Sequence, residues 1–148
     1  NALGQQGWRW LISTSSRTAV DVEKLMQAQL VPDAIIKAVW WHEHKERIML
    51  DFLGASDMVF ITQDSLSMLS EAVSAGKKVI ALLPEHTKHS PFLEQVISVQ
   101  AARKRLHRVP MRELAQLDPE RMDFDVVTVS LVDQYAESIA SRFGWSRA

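Results

Sequence analysis

The chain has 148 residues, 47% hydrophobic and 24% charged, which is the composition of a globular domain long enough to bury a core rather than of a disordered segment. Lys and Arg total 17 against 18 Asp and Glu, a formal net charge of -1, so a general polyanion binder is excluded. There is no cysteine, which rules out a disulfide scaffold, a Cys-ligated zinc or iron–sulfur site and a Cys nucleophile, and fits a reducing compartment.

No apolar run approaches the ~20 residues of a membrane span, and no signal peptide opens the chain. The expected location is the cytoplasm, with a peripheral place at the inner membrane left open. Asn1 and Ala2 read as a scar of tag removal. The native segment is then expected from about Leu3, and residues 3–148 as a single domain cut from a longer, two-domain protein.

Hydrophobic runs alternate with amphipathic segments, the pattern of βα units and a parallel sheet. The first strand is predicted over Trp8–Ser13, and a helix over Ala19–Leu30 with Val22, Leu25, Met26 and Ala28 on its packed face. Pro32 and Asp33 break it. A second strand is predicted over Asp33–Trp40, and a short helix over Lys45–Leu53 with Gly54 just past its end. Met58–Ile61 is wholly apolar, as expected of a central strand buried on both faces. A turn at Thr62–Ser65 leads into a helix over Leu66–Ala75, with Leu66, Leu69, Ala72 and Val73 inward and Gly76 ending it. Lys78–Leu83 is the next strand. Ser90-Pro91 opens a helix to about Lys104, because Ser accepts from orphan amides and Pro suits the first helical position. A short strand near Leu106–Val109, a turn of helix at Asp118-Pro119 and a last helix over Val126–Phe143, capped near Gly144, complete the chain. The fold class expected is α/β: a Rossmann-like parallel sheet of four to six strands flanked by helices.

Ligands of such sheets bind where the strands end. Two loops there carry the candidate site. Thr62–Glu71 runs from a buried strand into a helix whose first turn holds Asp64, Ser65 and Ser67. Free amides and small hydroxyls at a helix N-terminus suit an anion. Glu71 follows Asp64 by seven residues, about two turns, and is suited to a ribose diol. The competing reading is an ordinary Ser/Asp cap and a solvated Glu. The second loop, Ser15, Ser16, Arg17 and Thr18, offers hydroxyls and a guanidinium to another anionic group, or is an ordinary capped loop. There is no GxGxxG and no GxxxxGK[ST], so dinucleotide and P-loop readings lack their motifs.

Other clusters carry less. His42, His44, His86 and His89 lie on two edge loops, but nothing fixes a zinc geometry, and no metal is expected. Arg103, Lys104, Arg105, Arg108 and Arg112 form a basic stretch, followed by acidic residues from Asp118 onward; it is a solvated face or a docking surface. Trp8, Trp10, Trp40 and Trp41 are expected to pack, with a stacking role on a base open to Trp40 or Trp41. A phosphorylatable receiver domain is excluded, since the first loop, Ser13–Thr18, has no acidic residue.

The stretch Ala55–Lys77, with Asp57, Val59, Thr62, Asp64, Ser65, Ser67, Met68, Ser70, Glu71 and Ala72 in order, resembles the bacterial family related to the plant elongated-mitochondria fission protein. The loop Ile12–Thr18 resembles that family's Ser-x-Arg-Thr loop, and the likeness runs over about Trp8–Pro84. It implies a GT-B-like architecture, two Rossmann-like domains around a cleft, with this chain as the C-terminal one. It further implies an anion role for Ser65 and Ser67, a ribose role for Glu71 and a pyrophosphate role for Ser16, Arg17 and Thr18. Three places depart from the family: Arg47–Phe52 replaces an Asn-Pro-Tyr-type segment, Lys78 stands for the usual Pro, and Pro84–His89 lacks a Gly-rich form.

The function expected on this basis is binding of a nucleoside-diphosphate sugar for glycosyl transfer, with Ser15, Ser16, Arg17, Thr18, Asp64, Ser65, Ser67, Met68 and Glu71 as the site. No cofactor and no nucleic acid are expected. Whether the protein is an enzyme stays open. A glycosyltransferase or nucleotide-sugar epimerase is the form an enzyme would take, with the general base on the missing N-terminal domain and this chain alone inactive. The rival is a non-catalytic Rossmann-like interaction module that kept the fold without the ligand.

Overall fold

The computed structural model describes residues 2–85, 90–129 and 131–145. The chain divides into two compact units, Asn1–Ser56 with Arg112–Asp118, and Asp57–Met111 with Pro119–Ala148. Each unit has its own parallel sheet, and helices flank the strands in a Rossmann-like α/β pattern.

In the first unit a short helix, α1 (Ala2–Gln5), precedes β1 (Trp10–Ser13). Helix α2 (Val20–Gln29) and a 3-10 turn at Pro32–Ala34 lead to β2 (Ile35–Val39), which pairs parallel to β1. The start predicted for β2 at Asp33 is therefore a 3-10 turn, as the fixed φ of Pro32 allows. Helix α3 (Met49–Ala55) begins four residues later than expected and takes in Gly54. Its stop is made instead by Ser56, whose hydroxyl donates to the carbonyl of Phe52.

The inward face expected for α2 is not the one observed. Val22 and Leu25 are about half exposed, while Glu23 is buried, at 3%. A two-stranded sheet has little apolar area to offer a helix. It does offer polar groups at its strand ends, and Glu23 turns toward those.

The second unit holds β3 (Met58–Thr62), β4 (Lys78–Leu83) and β5 (Leu106–Pro110), parallel and in the order β3-β4-β5. Helix α4 (Leu66–Ser74) joins β3 to β4 and packs on both, and α5 (Pro91–Ala102) joins β4 to β5 and packs on β5. Central β4 is the heart of the core, with Val79, Ile80 and Ala81 all at 0% exposure. Of the inward face predicted for α4, Leu69, Ala72 and Val73 are buried and Leu66 is half-buried. Ser90 caps α5 as the sequence implies, its Oγ accepting from the Leu93 N–H at 3.2 Å.

Both helices end in Schellman turns. At α4 the Gly76 N–H donates to the Val73 carbonyl and the Lys77 N–H to that of Ala72, with Gly76 at φ 70°. At α5 the same left-handed place is taken by Lys104, at φ 54°. The last helix, α6 (Leu131–Phe143), begins five residues after the predicted start. Residues 126–129 are Val-Val-Thr-Val, whose branched side chains crowd a helix. The backbone here has other work: the Asp125 N–H donates to the Lys104 carbonyl, and the Val127 carbonyl lies against Gly76.

Candidate functional site

The predicted site residues fall into two groups, one in each unit, and each group follows a strand of its own sheet. Ser15, Ser16, Arg17 and Thr18 follow β1 in the first unit. Asp64, Ser65, Ser67, Met68 and Glu71 follow β3 in the second.

The first loop closes on itself. Ser15 N–H donates to the Thr18 hydroxyl at 3.2 Å, and Arg17 N–H to the Ser15 hydroxyl at 3.3 Å. The Thr18 N–H adds a bond to the Ser15 carbonyl. Two of the three hydroxyls thus accept from the loop's own amides, as an Asx/ST-type turn does. Ser16 and Arg17 are exposed.

Behind this loop lies a network that sequence reasoning missed. The Thr14 hydroxyl donates to the Glu23 carboxylate and accepts from the Trp41 N–H at 2.8 Å. The second carboxylate oxygen of Glu23 accepts from the His42 N–H at 3.3 Å. The His42 ring, through Nε2, donates to the Thr18 carbonyl at 2.9 Å. A buried carboxylate needs such donors, and here they come from the two loops that end β1 and β2. The signal for Glu23 in the sequence was absent, since a Glu in the first turn of a helix reads as surface charge.

The second group is built differently. Ser65 is the N-cap residue of α4, and its carbonyl accepts the first helical bond, from Leu69 N–H at 3.0 Å. Its side chain caps nothing: no α4 amide donates to it. Ser65 is only 4% exposed, and its Oγ is buried without a hydrogen-bond partner. An ordinary Ser cap would have spent this oxygen on the N–H two or three residues on. Instead, a buried hydroxyl and a helix N-terminus without a side-chain cap share one spot. Asp64, Ser67 and Glu71 are exposed around it and Met68 is half-buried.

Gln63, one residue before Asp64, is completely buried. Its backbone N–H extends the β3–β4 ladder by donating to the Leu82 carbonyl at 2.8 Å. Its side-chain oxygen accepts from Arg108 Nε at 3.2 Å, and its amide nitrogen donates to Glu94 at 3.5 Å. Arg108 and Glu94 are joined by a two-pronged ion pair at 2.6 and 2.9 Å. Arg108 comes from β5, in the same cross-strand row as Ala81 and Ile61. Glu94 comes from the first turn of α5.

Arg108 is therefore not part of a free basic surface. The same holds for Lys104, paired with Asp123 at 2.6 Å, and for Arg112, beside Glu113 at 3.8 Å. Local acids compensate much of the basic stretch. Lys104 sits above the ordinary range because Asp123 hydrogen-bonds it and attracts its charge. Asp123 is lowered by the same bond and the same charge. His107 donates through Nε2 to the Asp123 carbonyl at 2.6 Å and meets the Phe124 ring edge-on.

Trp8, Trp10, Trp40 and Trp41 are all half-buried; Trp8 and Trp10 stack on each other, and Lys45 lies over the Trp41 ring at 5.5 Å. His86 and His89 lie outside the described residues. Among the described residues no three His, Cys, Asp or Glu side chains gather as a metal would need. No described helix is long and apolar enough to cross a membrane.

Comparison with curated proteins and with solved structures yields no match. A family model does match. It is described as mitochondrial fission ELM1 and covers residues 1–130, a span that contains every candidate site residue. The chain belongs to the mitochondrial fission ELM1 family.

Proposed function

We propose that the N-terminus of α4 binds a phosphate of a nucleoside-diphosphate sugar, and that the protein is the donor-binding part of a GT-B-like glycosyltransferase. The observation that carries this reading is Ser65. Its buried Oγ has no partner, and it stands at a helix start without a side-chain cap. Leaving a buried hydroxyl unpaired costs roughly 1–3 kcal/mol. A bound phosphate oxygen would accept from that hydroxyl and from the first-turn amides of α4, with the helix dipole favouring the negative charge. Departure of the sugar leaves two charged phosphates behind, and such pre-oriented donors stabilise them without a metal. Exposed Glu71, farther along the same helix, is assigned to the ribose hydroxyls. The general base is assigned to a second domain, so the 148-residue chain binds without turnover.

The test is calorimetric titration of UDP, GDP, CMP and their sugars. Ser65→Ala has a signature that an ordinary cap would not give. The free protein becomes more stable, by about 1 kcal/mol, because an unpaired buried hydroxyl is removed. Nucleotide affinity falls about tenfold, the value of one lost charge-assisted hydrogen bond. Loss of stability in Ser65→Ala together with no binding by the wild-type chain favours the rival reading, a Rossmann-like interaction module without a ligand.

A further inference from the structure

We infer that Gln63, Arg108 and Glu94 form a positioning clamp for the anion site at the start of α4; the inference rests on the phosphate reading of that site. The three side chains come from three elements: the β3–α4 turn, β5 and the first turn of α5. Gln63 is the link. Both ends of its amide are engaged, the oxygen by Arg108 Nε and the nitrogen by Glu94. This orientation is the only one the chemistry allows. A flipped amide would set its NH2 against a guanidinium N–H and its oxygen against a carboxylate.

Gln63 also lies two residues before Ser65. Its backbone is tied to Leu82, and the Ser65 N–H closes the turn on the Thr62 carbonyl at 3.1 Å. The turn is thus fixed on the main chain by β4 and through a side chain by β5 and α5. What it fixes is the place of one unpaired hydroxyl and the first amides of α4. Hydrogen bonds to an anion fall steeply with misalignment, so the rigidity of this turn sets how well those donors converge.

The clamp works by geometry and not by charge. The Arg108 guanidinium is matched two-to-two by Glu94, so the pair presents little net charge to an incoming phosphate. Lysine at 108 would keep the charge. A single ammonium on a flexible stem cannot hold both carboxylate oxygens and the Gln63 oxygen in one plane. Arg108→Lys therefore separates placement from electrostatics. Glu94 also accepts from the Ser98 hydroxyl at 3.3 Å, one turn along α5, which holds the carboxylate in place.

The experiment titrates UDP and GDP into the 148-residue wild-type chain, Arg108→Lys, Ser65→Ala and the double variant, with thermal melting of each. Arg108→Lys should weaken binding about tenfold while the chain stays folded. The double variant should bind about as weakly as Ser65→Ala alone, because the clamp acts through that hydroxyl and its turn, and residues acting as one unit do not add. A merely structural Arg108 would change the melting temperature without that coupling. Gln63→Met is the second variant. It keeps length and apolar volume in a buried slot, removes both polar contacts, and should give the same loss and the same coupling. Wild-type affinity in Arg108→Lys and Gln63→Met, or losses that multiply fully with Ser65→Ala, overturns the clamp while leaving the phosphate reading intact. Absence of UDP and GDP binding in the wild-type chain, or wild-type binding that Ser65→Ala leaves unchanged, overturns the phosphate reading and the clamp with it.

Discussion

Gly76→Ala probes a close approach of backbone to backbone in the second unit. Gly76 ends α4 at φ 70°, and a Cβ built there would sit 2.6 Å from the carbonyl oxygen of Val127. Two costs follow. A left-handed backbone costs an alanine about 1–2 kcal/mol. The overlap is with main chain, so no side chain can swing away. The 126–129 segment must retreat instead, at about 1–3 kcal/mol by analogy with overpacked cores. Together the loss is about 2–5 kcal/mol, large against a typical total of 5–15 kcal/mol. Urea unfolding followed by far-ultraviolet circular dichroism measures it. Gly76→Asn separates the two costs, because asparagine tolerates the left-handed region yet carries a Cβ. It should lose only the second part. Wild-type stability in Gly76→Asn would refute the close approach to Val127, and wild-type stability in Gly76→Ala would refute the Schellman turn as well.

Glu23→Ala should destabilise the first unit by about 1–3 kcal/mol, since it removes the charged acceptor of the Thr14 hydroxyl and of the part-buried His42 N–H; Glu23→Gln should cost about half as much. A urea midpoint shift worth under ~1 kcal/mol for Glu23→Ala would show that the carboxylate is a solvated one. The Lys104–Asp123 pair gives a pH-dependent prediction. Asp123 is held below its ordinary 3.8 and Lys104 above its ordinary 10.5, each by hydrogen bonding and attraction to the other. The lowered carboxyl adds stability above its ordinary value, lost as pH falls through the folded value. The raised amine adds stability below its ordinary value, lost as pH rises through the folded value. Wild-type protein should therefore melt slightly above Asp123→Asn across the neutral range, and the gap should close at both extremes and in 1 M salt. A gap unchanged by acid or salt would mean that Asp123 acts through packing alone.

Much of the second unit could be read from its residues. Val79–Leu83 is the apolar run of a doubly covered central strand, and Leu69, Ala72 and Val73 recur at the spacing of one helix face; Met58–Ile61, equally apolar and expected to be central, is instead the edge strand β3, with Met58, Val59 and Phe60 half-buried, because strand order is a long-range property. Ser90-Pro91 and Gly76 mark a helix start and a helix stop by local stereochemistry. These signals are local, and local rules decide them. The first unit resisted the same method. Val22 and Leu25 have the right spacing for a core face, yet burial depends on what lies opposite. A two-stranded sheet leaves them half exposed and takes in Glu23 instead. The helix start predicted at Val126 failed for a related reason, since contacts with Lys104 and Gly76, distant in sequence, claim the backbone there.

The site divides the same way. Ser65 at a strand-to-helix turn was legible as a candidate from type and position. Whether its hydroxyl capped the helix or stood unpaired depended on a dihedral angle and on neighbours, which no spacing encodes. Gln63, Glu94 and Arg108 are 31 and 14 residues apart along the chain. As a sequence they are a turn residue, a helix-cap acid and one cation in a basic run. Parallel pairing of β3, β4 and β5 brings them within hydrogen-bond reach. Side-chain types and periodicity thus determined which elements form. The long-range pairing of strands decided which polar groups are buried together, because burial and hydrogen bonding are properties of neighbours in space.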